Sequence, residues 1–587
     1  MKSTTMFRSR IALAVGVMFA AGCTRPAPPS AASPLAGKRA EGRAGMVSAS
    51  QPEATLVGVA VLRAGGNAVD AAVATAFALS VTDPSQTGIG GGGAATVWMP
   101  ASQRVDHLSF YGRAGERPEW GTADTGSRGP GRGAAVPGMV SGLLTLHEKH
   151  GKLSREQVMA PAIALARDGF TVSPLLARTI TSSRARVLEE PGAAARFMPD
   201  GEPLRPGDRL IQPELAATLE RIAATGPDAF YRGPFAERLA QHVQARGGLI
   251  TTRDMAAYRS TWTRPLCTPW RGLTVLGAPP PMGGAVVLQM LHLAEQSGLT
   301  SATGYTESPA TATSFAQLIR IAQVDGQRWR GDPGVMPVPA RGLASARFAA
   351  ARASELTAPM RDTLSPADPW SADAEGPEGA CAALDPYPAA PRSAAGDFDG
   401  LGSGSAGEDS SFTSHLSVVD SEGNAVSMTT TVGVLFGSGV WVDGVWLNSV
   451  GRNFDGRTRG SDRYSNSTMS PTIVLDGRDV RLVVGAAGSQ YIQPAIAQVS
   501  VRMLAFGEDP AMALAAPRLH PNWNSREVEV EPGFGPDVYS ALVARGFRPR
   551  SRVGDIMFGG VHAVYVTPDG RRIGAADPRR DGYAAGQ

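Results

Sequence analysis

The feature that most constrains the fold is a change of hydrophobic period in the second half of the chain. Before residue 357, apolar residues recur at intervals of three and four, which predicts amphipathic helices. After residue 411, short alternating runs of apolar and polar residues flank turns, which predicts β-hairpins with a few helices between them. A helical part followed by a hairpin part favours an α+β fold with layered sheets.

Residues 357–411 separate the two patterns. Asp, Ser, Pro, Gly and Ala dominate this stretch, and residues 402–407 read Gly-Ser-Gly-Ser-Ala-Gly. This composition predicts a flexible segment, which inside a compact protein is usually an excursion or a processing region. The predicted helices cover 53–64, 68–79, 139–150, 155–168, 213–225, 234–246, 285–296, 313–327, 492–504 and 536–545. The predicted hairpins cover 415–430, 472–484 and 562–575.

The N-terminal 23 residues predict export. Lys2, Arg8 and Arg10 precede the apolar stretch 11–21, and small residues lead to Cys23, which is the pattern of a signal peptide. Ala-Ala-Gly before Cys23 resembles the lipobox of bacterial lipoproteins, so we expect a lipidated Cys23 and a membrane-anchored periplasmic protein. The alternative is periplasmic export without a lipid. The Pro/Ala/Ser-rich residues 24–44 predict a flexible tether.

Composition excludes several classes of protein. With 43% hydrophobic residues the chain is too apolar to be mostly disordered, and beyond its N-terminus it contains no run of about 20 apolar residues, which excludes a polytopic membrane protein. The 56 basic residues form no clustered stripe, so we expect no nucleic-acid partner. No Cys/His cluster has zinc spacing, and we expect no metal or other cofactor. An oxidising compartment permits a disulfide between Cys267 and Cys381, but sequence leaves open whether they meet.

Thr413 stands at the junction of the flexible segment and the first predicted strand. If the Phe412–Thr413 bond were cut, the α-amine of Thr413, with an ordinary pKa of about 7.7–8.0, could take the proton from its own hydroxyl. That is a recognised way to activate a hydroxyl nucleophile. A threonine at the start of a strand is more often structural, so these residues alone leave both interpretations open.

Thr413-Ser-His415-Leu-Ser417-Val-Val-Asp420, followed by Gly423-Asn-Ala-Val, resembles the small-subunit start of the gamma-glutamyltranspeptidases (glutathione hydrolases). The resemblance runs in order from about residue 45 to residue 585. Its further motifs are Gly65-Gly-Asn-Ala-Val-Asp-Ala-Ala72, Gly88-Ile-Gly-Gly-Gly-Gly93, Ala135-Val-Pro-Gly-Met139, Gly437-Ser-Gly439, Met469-Ser-Pro-Thr-Ile-Val474, Ala516-Pro-Arg518-Leu-His520 and Gly574-Ala-Ala-Asp-Pro-Arg579.

The resemblance implies the four-layer αββα sandwich of the N-terminal-nucleophile hydrolases. It implies self-cleavage before Thr413 into a helix-rich large subunit, 45–412, and a hairpin-rich catalytic small subunit, 413–587, which stay interlocked. The implied reaction is transfer or hydrolysis of γ-glutamyl or related acyl amides through an acyl-enzyme on Thr413. The partners would be a small-molecule amide and the two subunits of one precursor.

The resemblance also assigns roles to individual residues. Thr431 matches the threonine that hydrogen-bonds the nucleophile, and Gly488-Ser489 stands where the family has the Gly-Gly pair of the oxyanion hole. Ser467-Thr468 matches the pair that holds the substrate α-carboxylate. Arg113 is a candidate for the family's carboxylate-binding Arg, although Tyr111 falls on that position in the alignment.

The chain departs from the family where the substrate ammonium would lie. The family's Asn, Gln and Asp positions appear as Gly433, Val450 and Asn453, with Arg452 beside the last. Unpaired buried polar groups can shift specificity by orders of magnitude. The alternatives are therefore an amidase or acylase for acyl chains without an α-amine, in the manner of a cephalosporin acylase or an oxamate amidohydrolase, and a non-catalytic binding lipoprotein.

Two other interpretations are less consistent with the sequence. The glycine run 88–93 lacks the Gly-Lys-Ser/Thr ending of a phosphate loop, so we expect it to serve close backbone packing. His415 and Asp420 invite comparison with a Ser/His/Asp triad, but residues five apart on a strand point to opposite faces. We therefore expect His415 to be structural.

Overall fold

The computed structural model describes Met1 and residues 37–117, 129–299, 308–390, 412–454, 463–553, 556 and 558–587. The predicted signal peptide with Cys23, the tether up to residue 36 and residues 391–411 of the predicted flexible segment lie outside this part. Among the described residues, no helix has the length and apolar character needed to cross a bilayer. In the same residues, no group of three or more His, Cys, Asp or Glu side chains could hold a metal ion.

Two antiparallel sheets of seven strands each form the centre of the molecule. The first sheet contains, in spatial order, β21 (Tyr583–Gly586), β2 (Met46–Ala49), β10 (Phe412–Val419), β11 (Ala425–Gly433), β3 (Gly92–Met99), β4 (Arg104–Phe110) and β7 (Thr261–Thr263). The second sheet contains β1 (Arg39–Gly42), β20 (Arg572–Ala576), β19 (Gly560–Val566), β15 (Asp479–Ala487), β14 (Thr472–Asp476), β9 (Leu273–Gly277) and β8 (Leu266–Trp270).

Smaller strand groups and the helices complete the described elements. The small sheets pair β5 (Phe170–Thr171) with β6 (Arg209–Leu210), β12 (Trp441–Val442) with β13 (Val445–Trp446), and β17 (Glu527–Val530) with β16 (Leu519–Pro521) and β18 (Arg548–Ser551). The helices are α1 (Pro52–Arg63), α2 (Ala68–Thr82), α3 (Met139–His150), α4 (Arg155–Asp168), α5 (Pro174–Ser182), α6 (Arg184–Leu188), α7 (Pro191–Phe197), α8 (Pro213–Thr225), α9 (Asp228–Tyr231), α10 (Gly233–Ala245), α11 (Thr252–Ala257), α12 (Gly284–Gln296), α13 (Pro309–Trp329), α14 (Ala340–Leu343), α15 (Ala346–Arg352), α16 (Trp370–Asp373), α17 (Ile492–Leu504), α18 (Pro510–Ala515) and α19 (Pro536–Arg545).

The two large sheets pack face to face with helices on both outer sides. Helices α1, α2 and α3 contact strands of the first sheet, and α12, α17 and α18 contact strands of the second. Between the sheets, the Ser417 hydroxyl donates to the carbonyl of His562 at 3.0 Å. The Ser427 hydroxyl likewise donates to the carbonyl of Val484 at 3.0 Å. This arrangement confirms the predicted α+β fold with four layers, αββα.

Helix α2 shows how local sequence places a buried layer. The Asn67 side chain accepts from the backbone N–H groups of Val69 and Asp70, and the Asp70 carboxylate accepts from the N–H of Asn67, which forms a capping box. Every residue of α2 is buried, and the hydroxyls of Thr75, Ser80 and Thr82 donate to backbone carbonyls of the helix itself. With α1 it forms the predicted helical hairpin around Gly65, whose positive φ of 91° suits glycine.

Each large sheet contains strands from both sides of residue 412. In the first sheet, β10 pairs with β2 and β11 pairs with β3, so strands that follow residue 412 lie between strands that precede it. In the second sheet, β1 pairs with β20 and β9 pairs with β14. Because these ladders do not depend on the 412–413 peptide bond, a cut there leaves the two fragments interlocked.

Two predicted flexible stretches differ from the structure. Residues 39–42, within the predicted tether, form β1 and pair with β20. Residues 357–390 contain α16, with Trp370 buried, and a disulfide that joins Cys381 to Cys267 in β8. In both places the order comes from contacts with residues distant in sequence, which composition does not report.

Candidate active site

Thr413 is the second residue of β10 and is only 3% exposed. Opposite it the pairing register with β11 shifts by one residue between Phe412 and Ser414, and such irregularities re-aim nearby side chains. Here the Thr431 hydroxyl donates to the carbonyl of Phe412 and accepts from the N–H of Gly433 at 2.8 Å. Thr431 therefore polarises the carbonyl of the peptide bond that joins Phe412 to Thr413.

The Gly488–Ser489 turn lies close to the same peptide bond. It directly follows β15, and Tyr491 two residues later packs with Phe412 and Phe558 in one hydrophobic cluster. Ser489 has a positive φ of 53°, a left-handed conformation that costs a residue with a Cβ about 1–2 kcal/mol and that a glycine adopts freely. Ser489 keeps its backbone N–H despite this strain, as Gly488 does.

Ser467 and Thr468 lie next to this turn. The Thr468 hydroxyl donates to the carbonyl of Ser489 at 2.8 Å, so Thr468 supports the turn directly. The Ser467 hydroxyl accepts from the N–H of Met469 at 3.1 Å, which leaves its own proton for another acceptor. The two adjacent hydroxyls thus have different roles in the structure.

Tyr111 and Asn453 meet beside Ser467. The Asn453 side-chain amide donates to the Tyr111 hydroxyl at 3.4 Å, and the N–H of Asn466 donates to the carbonyl of Asn453 at 3.3 Å. Burial raises the pKa of Tyr111, and the side chains of Asn453 and Ser467 act on it in the opposite direction. The Tyr111 hydroxyl is therefore a neutral group that can donate a hydrogen bond.

Arg113 is directed elsewhere in this segment. Its guanidinium lies 4.7 Å from the centre of the Tyr464 ring, and its Nη1 donates to the carbonyl of Arg259 at 3.5 Å. Arg452 is exposed, and its side chain runs beside Gly133. Tyr111, and not Arg113, is thus the side chain that contacts Asn453. Tyr111 is also the residue that the alignment placed at the position of the family's Arg.

Comparison with known proteins now identifies the family. The profile described as Gamma-glutamyltranspeptidase matches residues 54–587. The chain belongs to the gamma-glutamyltranspeptidase family. It is 32% identical to the glutathione hydrolase proenzyme of Escherichia coli K12 over 98% of each chain. It is also 32% identical to the acylase ACY 1 proenzyme of Pseudomonas sp. SE83, over 93% of this chain and 94% of the acylase.

A solved structure has the same fold. Cephalosporin acylase from Bacillus halodurans superimposes with a TM-score of 0.78 and 27% identity, covering 97% of this chain and 99% of that one. The chain described here, as a member of the gamma-glutamyltranspeptidase family, is a self-processing amidase with two subunits from one precursor. Its relatives divide between glutathione hydrolases and acylases at equal identity.

The two remaining sequence interpretations are resolved by contacts. His415 bonds Thr429 at 2.8 Å and Ser417 at 3.1 Å, whereas Asp420 accepts from the N–H of Ala68 at 2.8 Å. His415 is therefore structural, as predicted. In the glycine run, a Cβ at Gly91 would collide with the carbonyl of Thr431, which confirms close backbone packing beneath the site.

A buried polar group behind Thr413 was not found from sequence. It contains Asp83, Gln86, Ser414 and Arg580, all 4% exposed or less. Burial raises the pKa of Asp83 to about 7, while hydrogen bonds from Ser414 and Gln86 and the charge of Arg580 oppose this shift. The sequence contains only weak indications of this group. Arg580 directly follows the motif that ends at Arg579, and Asp83 precedes the glycine run 88–93.

Proposed function

We propose that this protein hydrolyses or transfers acyl amides whose acyl chain ends in a carboxylate and carries no α-ammonium, with Thr413 as the N-terminal nucleophile. The observation that carries the proposal is the chemistry of the three positions where the resemblance implies ammonium-binding residues. Gly433, Val450 and Asn453 occupy them, and none bears a negative charge.

Local packing explains why Gly433 and Val450 leave no polar side chain for a substrate ammonium. Gly433 has a positive φ of 91°, and a Cβ there would collide with the Ser449 hydroxyl, so the position has no room for a polar side chain. Val450 is 1% exposed and packs against Gly112.

The same region still offers donors to a carboxylate. Ser467 keeps a hydroxyl proton, and Tyr111 supplies a second hydroxyl kept neutral by burial. Hydroxyl donors suit a carboxylate, which accepts hydrogen bonds and cannot donate them when ionised. We assign these hydroxyls to the distal carboxylate of the acyl chain.

A small cavity of about 40 Å³, lined mainly by apolar side chains, adjoins Ser467 and Thr468. Ser467, Thr468 and Gln490 form one side of it, and its apolar lining includes Met282, Val286, Leu343, Trp329 and Trp523. The Oε1 atom of Gln323, which also lines the cavity, is buried and has no hydrogen-bond partner among the described residues.

Maturation would begin at the Phe412 carbonyl. The Thr413 Oγ1 attacks the carbonyl carbon, the C–N bond breaks, and the hydroxyl proton ends on the freed nitrogen, which gives an ester and a new α-amine. Water then cleaves the ester to the Phe412 carboxylate and the Thr413 hydroxyl. Thr431 supplies a hydrogen bond to the carbonyl oxygen on which charge develops.

Turnover would reuse the same hydroxyl. The α-amine of Thr413 takes the hydroxyl proton as Oγ1 attacks the substrate amide, and then passes it to the leaving amine. The N–H groups of Gly488 and Ser489 would stabilise the oxyanion, where one donor is typically worth about 2.7–4 kcal/mol. Water releases the acyl group in hydrolysis, and an amine acceptor releases it in transfer.

A γ-glutamyl donor is the second candidate substrate. Ser467 and Thr468 retain both hydroxyls of the family's carboxylate pair. The Escherichia coli relative is a glutathione hydrolase proenzyme, at the same identity as the acylase. This candidate requires that residues other than Gly433, Val450 and Asn453 hold the ammonium.

Paired anilides test the proposal directly. Glutaryl and γ-glutamyl anilides differ only in the α-amine, so the ratio of their kcat/KM values on the processed protein isolates that group. We expect the glutaryl compound to be at least as good a substrate as the γ-glutamyl compound. A preference of about 100-fold for γ-glutamyl, equivalent to about 2.7 kcal/mol, would favour the second candidate instead.

We also propose that the protein is exported and anchored in the periplasm by a lipid on Cys23. The support is the sequence pattern of residues 1–23, since this segment lies outside the described residues. Cys23→Ser should move the protein from the membrane fraction to the soluble fraction. Wild-type protein without acyl mass on its N-terminal peptide would contradict the anchor.

A further inference from the structure

Arg580 contacts the nucleophilic residue itself. Its Nη1 donates to the carbonyl of Thr413 at 2.9 Å, across 167 residues of sequence. Its Nε and Nη2 donate to the carbonyl of Ile556 at 3.3 and 3.0 Å. The guanidinium thus joins the residue at the predicted cleavage site to a backbone segment near the start of β19.

A second connection reaches the residue after the nucleophile. The Ser414 hydroxyl donates to Asp83 Oδ2 at 2.5 Å, and the Gln86 amide donates to Asp83 Oδ1 at 2.9 Å. Gln86 Oε1 accepts from Arg580 Nη1. These contacts form a closed series of hydrogen bonds from the Thr413 carbonyl through Arg580, Gln86 and Asp83 to Ser414.

Residues 83–87, which contain Asp83 and Gln86, also support the irregular part of β11. The N–H of Val432 donates to the carbonyl of Gln86 at 3.0 Å, and the Thr87 hydroxyl donates to the Thr430 hydroxyl at 2.9 Å. These residues flank Thr431, whose hydroxyl contacts the Phe412 carbonyl. Residues 83–87 therefore hold both strands that meet at Thr413.

We propose that Arg580, Gln86 and Asp83 form a clamp that orients Thr413, and that this clamp sets the rate of self-cleavage and of turnover. The inference rests on the proposed cleavage before Thr413. Arg580, Gln86 and Asp83 are positioning residues, because they act through Thr413 and Ser414 and need not contact the substrate.

The clamp matters because of what cleavage removes. Before cleavage, Thr413 is held by peptide bonds on both sides; afterwards only its carbonyl side remains attached to the chain. The Arg580 and Asp83 contacts are on that side, so they persist when the N-terminal side is released. Reacting atoms must lie about 3–3.5 Å apart and aligned, and a misplacement of about 1 Å can cost about 100-fold in rate.

Position 580 suits an arginine because three hydrogen-bond acceptors lie within reach of one guanidinium. The planar guanidinium reaches the Thr413 carbonyl, Gln86 and the Ile556 carbonyl at once, whereas lysine would present a single point charge. The Arg580 side chain passes directly over Gly560, where a Cβ would collide with its Cδ. Gly560→Ala would therefore displace the Arg580 side chain, while every residue that contacts Thr413 keeps its chemical identity.

The test is the first-order rate of precursor cleavage, with the new N-terminus identified by sequencing. We expect Arg580→Lys to cleave about 10- to 100-fold more slowly than wild type. Gly560→Ala should change the rate in the same direction by a smaller factor. In protein that matures slowly, kcat for an acyl anilide should fall while KM stays within about twofold, because the clamp lies behind the nucleophile.

Arg572→Lys is the matched control. Arg572 is also a buried arginine of the second sheet region, and it donates to the backbone carbonyls of Asp420 and Arg43. Its loss should lower the melting temperature while the cleavage rate stays at the wild-type value. Equal slowing by Arg572→Lys and Arg580→Lys would show a general effect of stability and would overturn the clamp.

The remaining outcomes separate this inference from the proposed function. A wild-type precursor that is not cut before Thr413 contradicts the proposed function. Wild-type cleavage with unchanged rates in Arg580→Lys and Gly560→Ala overturns the clamp alone. If both variants fail to fold, Ser414→Ala decides, because it removes only the donor to Asp83. Cleavage no slower than that of Arg572→Lys overturns the clamp, and slower cleavage supports it.

Discussion

The two ends of the active site are built differently. At the nucleophile end, defined by Thr413, Ser414 and Thr431, all three side chains are 3% exposed or less. The Ser414 hydroxyl is hydrogen-bonded to Asp83, and the Thr431 hydroxyl is hydrogen-bonded to the carbonyl of Phe412. At the substrate end, defined by Tyr111, Asn453 and Ser467, Asn453 is exposed and its contact with Tyr111 is 3.4 Å long.

This difference explains why reaction class and substrate class need not change together. A buried polar group that loses its partner costs about 1–3 kcal/mol, so changes at the nucleophile end destabilise the fold as well as the chemistry. An exposed residue at the substrate end can change with little effect on folding. Relatives with the same fold, described as glutathione hydrolases and acylases, are consistent with variation at the substrate end.

The largest expected effect is loss of the nucleophile. Thr413→Ala should remain a single chain and lose activity by at least about 10³-fold, because no hydroxyl remains to form either ester. Thr413→Ser retains a hydroxyl and should still cleave. Gel analysis of the precursor over time and an acyl-anilide assay measure both effects, and cleavage of Thr413→Ala before residue 413 would contradict the assigned nucleophile.

A smaller effect is expected at Thr431. Thr431→Val keeps the side-chain shape but removes the donor to the Phe412 carbonyl, so self-cleavage should slow by about 10²–10³-fold. Thr431→Ser restores the hydroxyl and should cleave within about tenfold of wild type. If the valine variant folds and cleaves as fast as the serine variant, the hydrogen bond to Phe412 is not used in maturation.

The substrate end should respond in specificity rather than in maturation. Asn453→Asp places a carboxylate where an ammonium would lie, and a charge-assisted pair at an exposed site is worth about 1 kcal/mol. We expect the γ-glutamyl to glutaryl ratio of kcat/KM to rise about fivefold while the cleavage rate stays unchanged. Asn453→Gln is the neutral control, and an equal rise in that variant would contradict the electrostatic explanation.

A separate effect, on stability and not on activity, is a pH dependence at the sheet interface. Burial lowers the pKa of His562 to about 3, and the charges of Lys38 and Arg580 act in the same direction while Asp577 opposes them. Burial also holds the pKa of His415 well below its usual range. Because the unfolded imidazoles titrate near about 6.5, the folded state should lose stability as pH falls from there towards 3.

Melting temperatures between pH 7 and pH 4 measure this effect. His562→Gln removes one titrating group, so its melting temperature should fall less over that interval than that of the wild type. His242→Gln is the control, because His242 is a partly exposed side chain paired with Glu190 on the helical side. An unchanged slope in His562→Gln would show that other groups control acid stability.

Local sequence predicted the regular elements well where their pattern is complete. Helices α3, α4, α8, α17 and α19 have the predicted bounds, and the three predicted hairpins are β10–β11, β14–β15 and β19–β20. Strands β3, β4, β8 and β9 were missed. Most of β3 and β4 is buried, and a strand buried on both faces lacks the alternation that identifies it in sequence.

The sequence by itself determined ten of the helices, the three hairpins and the nucleophile candidate, because each depends on neighbouring residues or on an ordered set of motifs. Only the tertiary structure decided what surrounds Thr413. Asp83 lies 331 residues before Ser414, and Arg580 lies 167 residues after Thr413, so no local period or spacing relates them. Tertiary structure likewise brought Tyr111 to Asn453 and directed Arg113 to Tyr464. Such contacts form only when the two sheets close on each other, since burial then requires each polar group to find its partner wherever it lies in the chain.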